Sequence, residues 1–99
     1  WLDLKALREV IFINSVTTLC ITKLDVLDNL ETINACIDYD QSNPVYKSFR
    51  GWQSSTVNCN KFSDLPKCAQ EYILYIEDFL GVPVNIISVG PSRNQTIYR

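Results

Sequence analysis

The sequence predicts an α/β fold in which helices flank a mostly parallel sheet. Two apolar segments, 17–21 and 84–89, are rich in β-branched residues and are expected to form buried strands. Two further segments, 4–11 and 65–80, place apolar residues at helical spacing. The 99 residues are 46% apolar and 20% charged, which is typical of one ordered globular domain rather than of a disordered chain.

The first half is predicted to contain one helix followed by three strands. Asp3 is placed to cap the helix, and residues 14–15 end it. Its apolar positions are Leu4, Leu7, Val10 and Ile11. After the first strand, a half-buried strand is expected at 33–39, where apolar and more polar residues alternate. The polar, turn-rich segment 38–44 then predicts a loop before a short strand at 45–49.

The second half contains the clearest helical pattern. Ser63 or Asp64 is placed to cap this helix, and Pro66 suits its first turn. Its apolar stripe consists of Leu65, Cys68, Ala69, Tyr72, Ile73, Ile76, Phe79 and Leu80. Gly81 supplies a left-handed residue where the helix ends. The strand at 84–89 is mostly apolar on both faces, so it is expected to lie in the centre of a sheet.

Charge and hydropathy argue against two classes of partner. The net charge is −2, from nine basic and eleven acidic residues spread along the chain, so no basic stripe is available for a nucleic-acid backbone. No apolar run approaches the ~18 residues that a membrane-spanning helix needs. The sequence therefore predicts neither a nucleic-acid partner nor a membrane partner.

The cysteines are predicted to be small buried residues in a reducing cytosol. They are Cys20, Cys36, Cys59 and Cys68. No two of them form a C-x-x-C motif, and the chain contains no histidine to complete a zinc site. A cytoplasmic location is accordingly expected.

Residues 22–25 are the most informative feature, because they present a lysine and a carboxylate where an apolar strand ends. Open α/β sheets bind nucleotides at that end of their strands. Guanine offers two adjacent donors, N1–H and the exocyclic amine, and the two oxygens of Asp25 are suited to accept from both. The stem of Lys23 is suited to lie along the base plane. On spacing alone a solvated surface pair is the more common explanation. A metal site formed by Asp25 with Asp28 is disfavoured, because Asp28 suits a turn.

Residues 88–90 form a second candidate loop at the end of the last predicted strand. Gly90 allows a base edge to approach the backbone, and Pro91 fixes the following turn. The peptide groups of Ser88 and Val89 are available to hydrogen-bond a base. On composition alone, a plain strand-to-loop turn is the more common explanation. The chain has no Walker-type phosphate loop, no histidine for acid–base work and no serine or cysteine with a nucleophile signature.

Several segments resemble, in the same order, segments of the adenylosuccinate synthetase family. The segment 14–28, which contains Thr22-Lys23-Leu24-Asp25, is similar to the family's guanine-recognition segment. The other matching residues are Trp1-Leu2-Asp3-Leu4, Leu7-Arg8, Pro44-Val45-Tyr46, Gly51-Trp52, Leu65-Pro66, Ala69, Tyr72, Ile76-Glu77, Gly81-Val82-Pro83 and 86–94. The last of these is similar to the family's second guanine-binding loop. The resemblance covers most of the chain, and several motifs in the right order are more specific than any single one.

The resemblance implies a P-loop-NTPase-like fold of which residues 1–99 form a single C-terminal segment. The family joins IMP and L-aspartate into adenylosuccinate with Mg²⁺, while GTP is cleaved to GDP and phosphate, on the route to AMP. The implied guanine-binding residues are Lys23, Leu24, Asp25, Ser88, Val89 and Gly90. The family's catalytic residues and metal ligands fall outside this chain, so the chain alone is expected to be inactive. The resemblance alone implies a homodimer.

The chain departs from the family pattern in its middle. Between the strands at 33–39 and 45–49 it keeps only a stub of a longer polar excursion, and Arg50 stands where a proline is usual. The chain begins at Trp1 and contains no methionine, so it is expected to be the C-terminal piece of a longer protein. The alternative is a truncated, non-catalytic remnant that keeps only the fold.

Overall fold

Two three-stranded sheets and two helices make up the fold of residues 2–99, which a computed structural model describes. Trp1, where the predicted segment and the resemblance begin, lies outside the described residues. The strands are β1 (Leu2–Asp3), β2 (Leu19–Ile21), β3 (Thr32–Asp40), β4 (Asn43–Arg50), β5 (Val84–Ser88) and β6 (Thr96–Tyr98), and the helices are α1 (Leu4–Asn14) and α2 (Lys67–Leu80). Short 3₁₀ helices span Leu24–Leu27 and Phe62–Asp64.

The sheets are mixed rather than mostly parallel, which corrects the predicted fold class. Their strand orders are β1-β3-β4 and β2-β5-β6. In each sheet one pair is parallel, β1 with β3 and β2 with β5, and one is antiparallel, β3 with β4 and β5 with β6. The antiparallel pairs arise because short connections return the chain beside the strand it has just left, whereas a parallel neighbour requires a long crossover.

Helix α1 begins and ends where the sequence predicted. Asp3 Oδ1 accepts a hydrogen bond of 2.9 Å from the backbone N–H three residues on, as an N-cap does. Ser15 adopts the left-handed conformation, with φ 54°, and ends the helix. Leu4 and Ile11 are buried, but Val10 is 50% exposed, so the apolar stripe is narrower than predicted.

The β3–β4 hairpin is longer and tighter than predicted. The expected loop at 38–44 is reduced to a turn at Gln41 and Ser42, with φ 50° and 74°. Positive φ at both central turn positions gives a backbone twist that matches the twist of the flanking strands, so pairing extends up to the turn. A register shift between Cys36 and Asp38 interrupts the predicted alternation of apolar and polar residues.

Helix α2 starts later than predicted. Ser63 and Asp64 belong to the preceding 3₁₀ helix, and Pro66 is the N-cap without a side-chain cap bond. Leu65 is extended, with ψ 147°, because a residue before proline is kept out of the helical region. The extended conformation of Leu65 separates the 3₁₀ helix Phe62–Asp64 from α2. Gly81, with φ 72°, ends α2 as predicted.

One core unites the helices and both sheets. Its fully buried side chains include Leu4, Ile33, Ile73, Val84, Ile87 and Ile97. The predicted burial of Cys36 is confirmed, whereas that of Cys20 is wrong. Cys20 lies on β2, an edge strand of its sheet, and is exposed. Neither helix in residues 2–99 combines the length and the apolar character needed to cross a bilayer.

Asp3 is expected to make the stability of the protein depend on acid pH. The backbone N–H of Ala6 and then the hydroxyl of Tyr39, which donates to Oδ2, hold the pKa of this carboxyl below its usual value of 3.8. Its stabilising contribution is therefore complete above about pH 4 and is lost as the pH falls through the lowered pKa. Asp3→Asn keeps an N-cap acceptor but cannot titrate.

We expect the thermal unfolding midpoint of wild type to exceed that of Asp3→Asn at pH 7, and the difference to shrink below about pH 4. Asp3→Ala, which also lacks the cap, is expected to have the lowest midpoint at pH 7. A difference between wild type and Asp3→Asn that stays constant down to pH 2 would contradict this role.

Candidate nucleotide-binding site

The two predicted loops leave the same edge of one sheet. β2 and β5 are parallel neighbours, with Ile21 opposite Ile87. Residues 22–25 follow β2, and residues 88–90 begin with the last residue of β5, so both lie at the carboxyl ends of adjacent parallel strands. The 3₁₀ helix Leu24–Leu27 also contacts β5. This is the position at which α/β sheets bind ligands.

Lys23 turns the chain from β2 into the 3₁₀ helix through an unusual backbone conformation. It is left-handed, with φ 57° and ψ 41°, which costs a non-glycine residue about 1 kcal/mol. Val26 N–H donates to the Lys23 carbonyl at 3.1 Å and holds this turn. Leu24, 1% exposed, anchors the turn in the core. Strain of this kind at a loop tip is typical of functional sites.

Asp25 holds a buried oxygen without a partner. Within residues 2–99 its Oδ1 is the sole buried side-chain polar atom that makes no hydrogen bond. Leaving a buried acceptor unsatisfied costs about 1–3 kcal/mol, and more for a charged group. A ligand that donates a hydrogen bond here would recover that free energy.

The second loop uses part of its backbone internally. Val89 is fully buried, and its N–H donates to the carbonyl of Gln95 at 2.8 Å. This donor is thus engaged within the loop. The Ser88 hydroxyl donates to the Gly90 carbonyl at 3.1 Å. Among the predicted residues of this loop, Ser88 and Gly90 stay partly exposed.

Comparison with known proteins gives the family. Residues 1–97 match the family model described as adenylosuccinate synthetase. The chain belongs to the adenylosuccinate synthetase family. It is 42% identical to adenylosuccinate synthetase of Pseudomonas putida strain F1, covering 98% of this chain and 26% of that protein. It is 44% identical to the enzyme of the same name from Buchnera aphidicola subsp. Baizongia pistaciae, covering 100% and 28%.

A solved structure shows the same fold. The fully ligated adenylosuccinate synthetase from Plasmodium falciparum superimposes with a TM-score of 0.94 at 36% identity, covering 100% of this chain and 28% of that chain. The family assignment made from the sequence is therefore confirmed. The chain spans about a quarter of the length of the curated relatives it matches.

The relatives are longer within the matched region. Their alignments run over 114 and 119 residues, against the 99 of this chain. The sequence predicts the shortening between β3 and β4, and there the structure has the tight turn at Gln41–Ser42. This turn joins two strands of the sheet β1-β3-β4, whereas the two loops described above lie at strand ends of the sheet β2-β5-β6.

Asp28 is a structural residue of the site that sequence reasoning missed. It lies at a turn, as predicted, but the residue is only 6% exposed. Its Oδ1 accepts from Trp52 Nε1 at 2.8 Å, and its Oδ2 accepts from the backbone N–H of Thr56 at 2.8 Å. The Thr56 hydroxyl lies 2.9 Å from Oδ1 and 3.1 Å from Oδ2. These bonds tie residues 52–56 to the end of the 3₁₀ helix that contains Asp25.

Gly51 allows that segment to reach the turn. A Cβ here would lie 1.7 Å from the Leu30 carbonyl oxygen, which no side chain tolerates. Its N–H donates to the Glu31 carbonyl at 2.8 Å. Glycine at this position lets the backbone approach closely enough for Trp52 to contact Asp28. The Gly51-Trp52 pair was recognised from the sequence, but its contact with Asp28 was not.

An apolar cleft of about 430 Å³ lies beside the candidate site. Lys23 and Leu24 belong to its lining, together with side chains of α1, β2 and α2. Asp25 and residues 88–90 do not line it. The cleft and the edge that holds Asp25 are therefore separate features that share one strand end. No group of three or more metal-ligating side chains comes together in the part of the chain that the structure describes.

We expect Thr56→Val to destabilise the protein by about 1–3 kcal/mol, because Asp28 loses a hydrogen-bond donor to a buried charge. The backbone donor of residue 56 is retained, so the variant tests the hydroxyl alone. Urea unfolding of the full-length protein provides the measurement. Thr32→Val, at an exposed threonine on β3, is the matched control and is expected to change stability by no more than about 0.5 kcal/mol. Equal effects of the two substitutions would contradict the role given to Thr56.

Proposed function

We propose that this chain is the guanine-binding part of a GTP-dependent adenylosuccinate synthetase. The observation that supports this most directly is the buried, unpartnered Oδ1 of Asp25 at the carboxyl end of β2. A base that presents donors toward this oxygen relieves the cost of its burial. Family membership supplies the chemical context.

Guanine suits this position better than adenine does. Its N1–H and exocyclic amine are adjacent donors that match the two oxygens of Asp25. Adenine presents an acceptor at N1 and no polar group at C2, so it would leave the carboxylate unpaired. A site built on this logic rejects the wrong base by about 10⁴-fold or more. The Lys23 stem flanks the base, and the partly exposed backbone at Ser88 and Gly90 faces its carbonyl edge.

In this proposal the complete protein joins IMP and L-aspartate to form adenylosuccinate, while GTP is converted to GDP and phosphate. This reaction belongs to purine nucleotide synthesis in the cytoplasm. The groups that perform the chemistry and hold Mg²⁺ lie in parts of the protein outside residues 1–99. The present residues bind and orient the base, and the complete protein works as a homodimer.

The exposed apolar side chains of α1 and the free edge of β2 support a role within a larger protein, whose P-loop-NTPase-like fold is what the family resemblance implies. β2 is an edge strand, and Phe12 and Ile13 of α1 are 87% and 76% exposed. Exposed apolar side chains and unpaired strand edges favour association with further structure. Because the groups that perform the chemistry lie outside residues 1–99 in this proposal, the chain alone is inactive. Base contacts without phosphate contacts give a dissociation constant for GTP of roughly 1 mM.

Asp25→Asn in the full-length protein tests the guanine-binding role. The amide oxygen replaces one carboxylate oxygen, but the amide NH₂ faces a donor on guanine. We expect the KM for GTP to rise about 10²-fold, with a much smaller change in kcat. Xanthosine triphosphate carries a carbonyl at C2 in place of the amine, and we expect the variant to use it better than wild type does. Steady-state formation of adenylosuccinate measures both effects.

Asp78→Asn is the matched control for this experiment. Asp78 is an exposed carboxylate on α2, so its substitution is expected to leave both Michaelis constants unchanged. If Asp25→Asn left the KM for GTP unchanged, as Asp78→Asn is expected to do, the guanine site would not lie at Asp25. If wild type formed no adenylosuccinate, the protein would be the non-catalytic remnant that keeps only the fold.

A further inference from the structure

The backbone conformation at position 90 does not require a glycine. Gly81 is the sole glycine with positive φ in the described part of the chain, so the φ of Gly90 is one that any residue adopts. A different constraint must therefore explain the glycine in the second loop.

The side chain of Gln95 occupies the space that a side chain at Gly90 would need. A Cβ built on Gly90 would lie 2.4 Å from both Cδ and Oε1 of Gln95, and 2.8 Å from Nε2. A Cβ atom essentially never lies within 3.0 Å of a heavy atom of another residue that is not its chain neighbour. The carboxamide of Gln95 thus packs directly against the backbone of Gly90.

Gln95 also hydrogen-bonds to the backbone on both sides of Gly90, at Val89 and at Ser92. Its Oε1 accepts from the backbone N–H of Ser92 at 3.0 Å, and its own N–H donates to the Ser92 carbonyl at 3.0 Å. Its carbonyl accepts from the N–H of Val89 at 2.8 Å. One residue therefore sets the backbone on both sides of Gly90, immediately after β5.

We propose that Gln95 is a positioning residue for the guanine site, and that Gly90 is glycine in order to seat the Gln95 carboxamide. This inference rests on the proposed function, because it concerns the loop that faces the carbonyl edge of the base. Gln95 acts through the backbone of residues 88–90 and not by contact with the nucleotide. The inference also replaces the sequence-based explanation of Gly90, in which the base itself needs the empty space.

A double-mutant cycle separates the two explanations of Gly90. Gln95→Ala removes the side-chain hydrogen bond to Ser92. Gly90→Ala displaces the flexible end of Gln95 and loses the same bond, so each variant of the full-length protein is expected to raise the KM for GTP about fivefold, as loss of one hydrogen bond does. Since the two substitutions remove one interaction, Gly90→Ala combined with Gln95→Ala is expected to raise it no further than Gln95→Ala alone.

Gln70→Ala is the matched control. Gln70 is a partly buried glutamine of α2 whose Nε2 donates to the Leu65 carbonyl at 2.9 Å. Its loss removes a comparable bond far along the chain from both loops, so the KM for GTP is expected to stay within about twofold of wild type. Comparison with Gln95→Ala therefore separates a positioning role from a general loss of stability.

The ratio of kcat/KM for GTP to that for inosine triphosphate, which lacks the amine, is expected to stay constant in Gln95→Ala, because Asp25 recognises the amine.

Three results would overturn the inference. The KM for GTP in Gln95→Ala could equal that in Gln70→Ala while Asp25→Asn still raises it, in which case the guanine site is right and the role of Gln95 is wrong. Fivefold effects that multiply to about 25-fold in the double variant would show that Gly90 serves the base directly. An unchanged KM in Asp25→Asn would remove the proposed function, and the role of Gln95 with it.

Discussion

β2 and β5 run parallel, with Ile21 opposite Ile87, and the candidate site depends on this pairing. The two strands are separated by more than sixty positions in the chain, and only their alignment brings residues 22–25 and 88–90 to one edge. The pairing is secured from inside, because Val84 and Ile87 are completely buried in the core that α2 also contributes to. A substitution that shifts one of these strands by one residue would turn the side chains of that strand to the opposite face and misplace the loop that follows it.

Asp25 and Asp28 lie in one turn, and their hydrogen bonding distinguishes a structural carboxylate from a candidate ligand-binding one. Asp28 is buried and has donors at both oxygens, from Trp52 and Thr56. Asp25, three positions earlier, leaves Oδ1 buried and unpartnered. A satisfied carboxylate fixes the segment around it, whereas an unsatisfied one is unfavourable until a donor arrives. Asp28 therefore holds the turn in place, and Asp25 is the candidate for recognition of a base.

Gly51, Gly81 and Gly90 meet two different structural requirements. Gly81 supplies a left-handed residue that ends α2, so a conformational requirement explains it. Gly51 and Gly90 are explained by space: one lies against the Leu30 carbonyl, and the other against the Gln95 carboxamide. The contacts at Gly51 and Gly90 both join segments to the loops of the candidate site. The loops at this sheet edge thus depend on close packing between segments that only glycine permits.

The sequence by itself determined the features that depend only on residues close together in the chain. The cap at Asp3, the end of α2 at Gly81, the apolar helix faces and the polar loops after β2 and β5 all follow from local pattern, and so does the family. Tertiary structure decided the rest. The antiparallel partners β4 and β6, the burial of Asp28 by Trp52 and Thr56, and the packing of Gln95 on Gly90 arise from contacts between segments. Local propensity states which conformation a segment prefers, but the partner of a strand or a buried polar atom depends on where the whole chain places its segments.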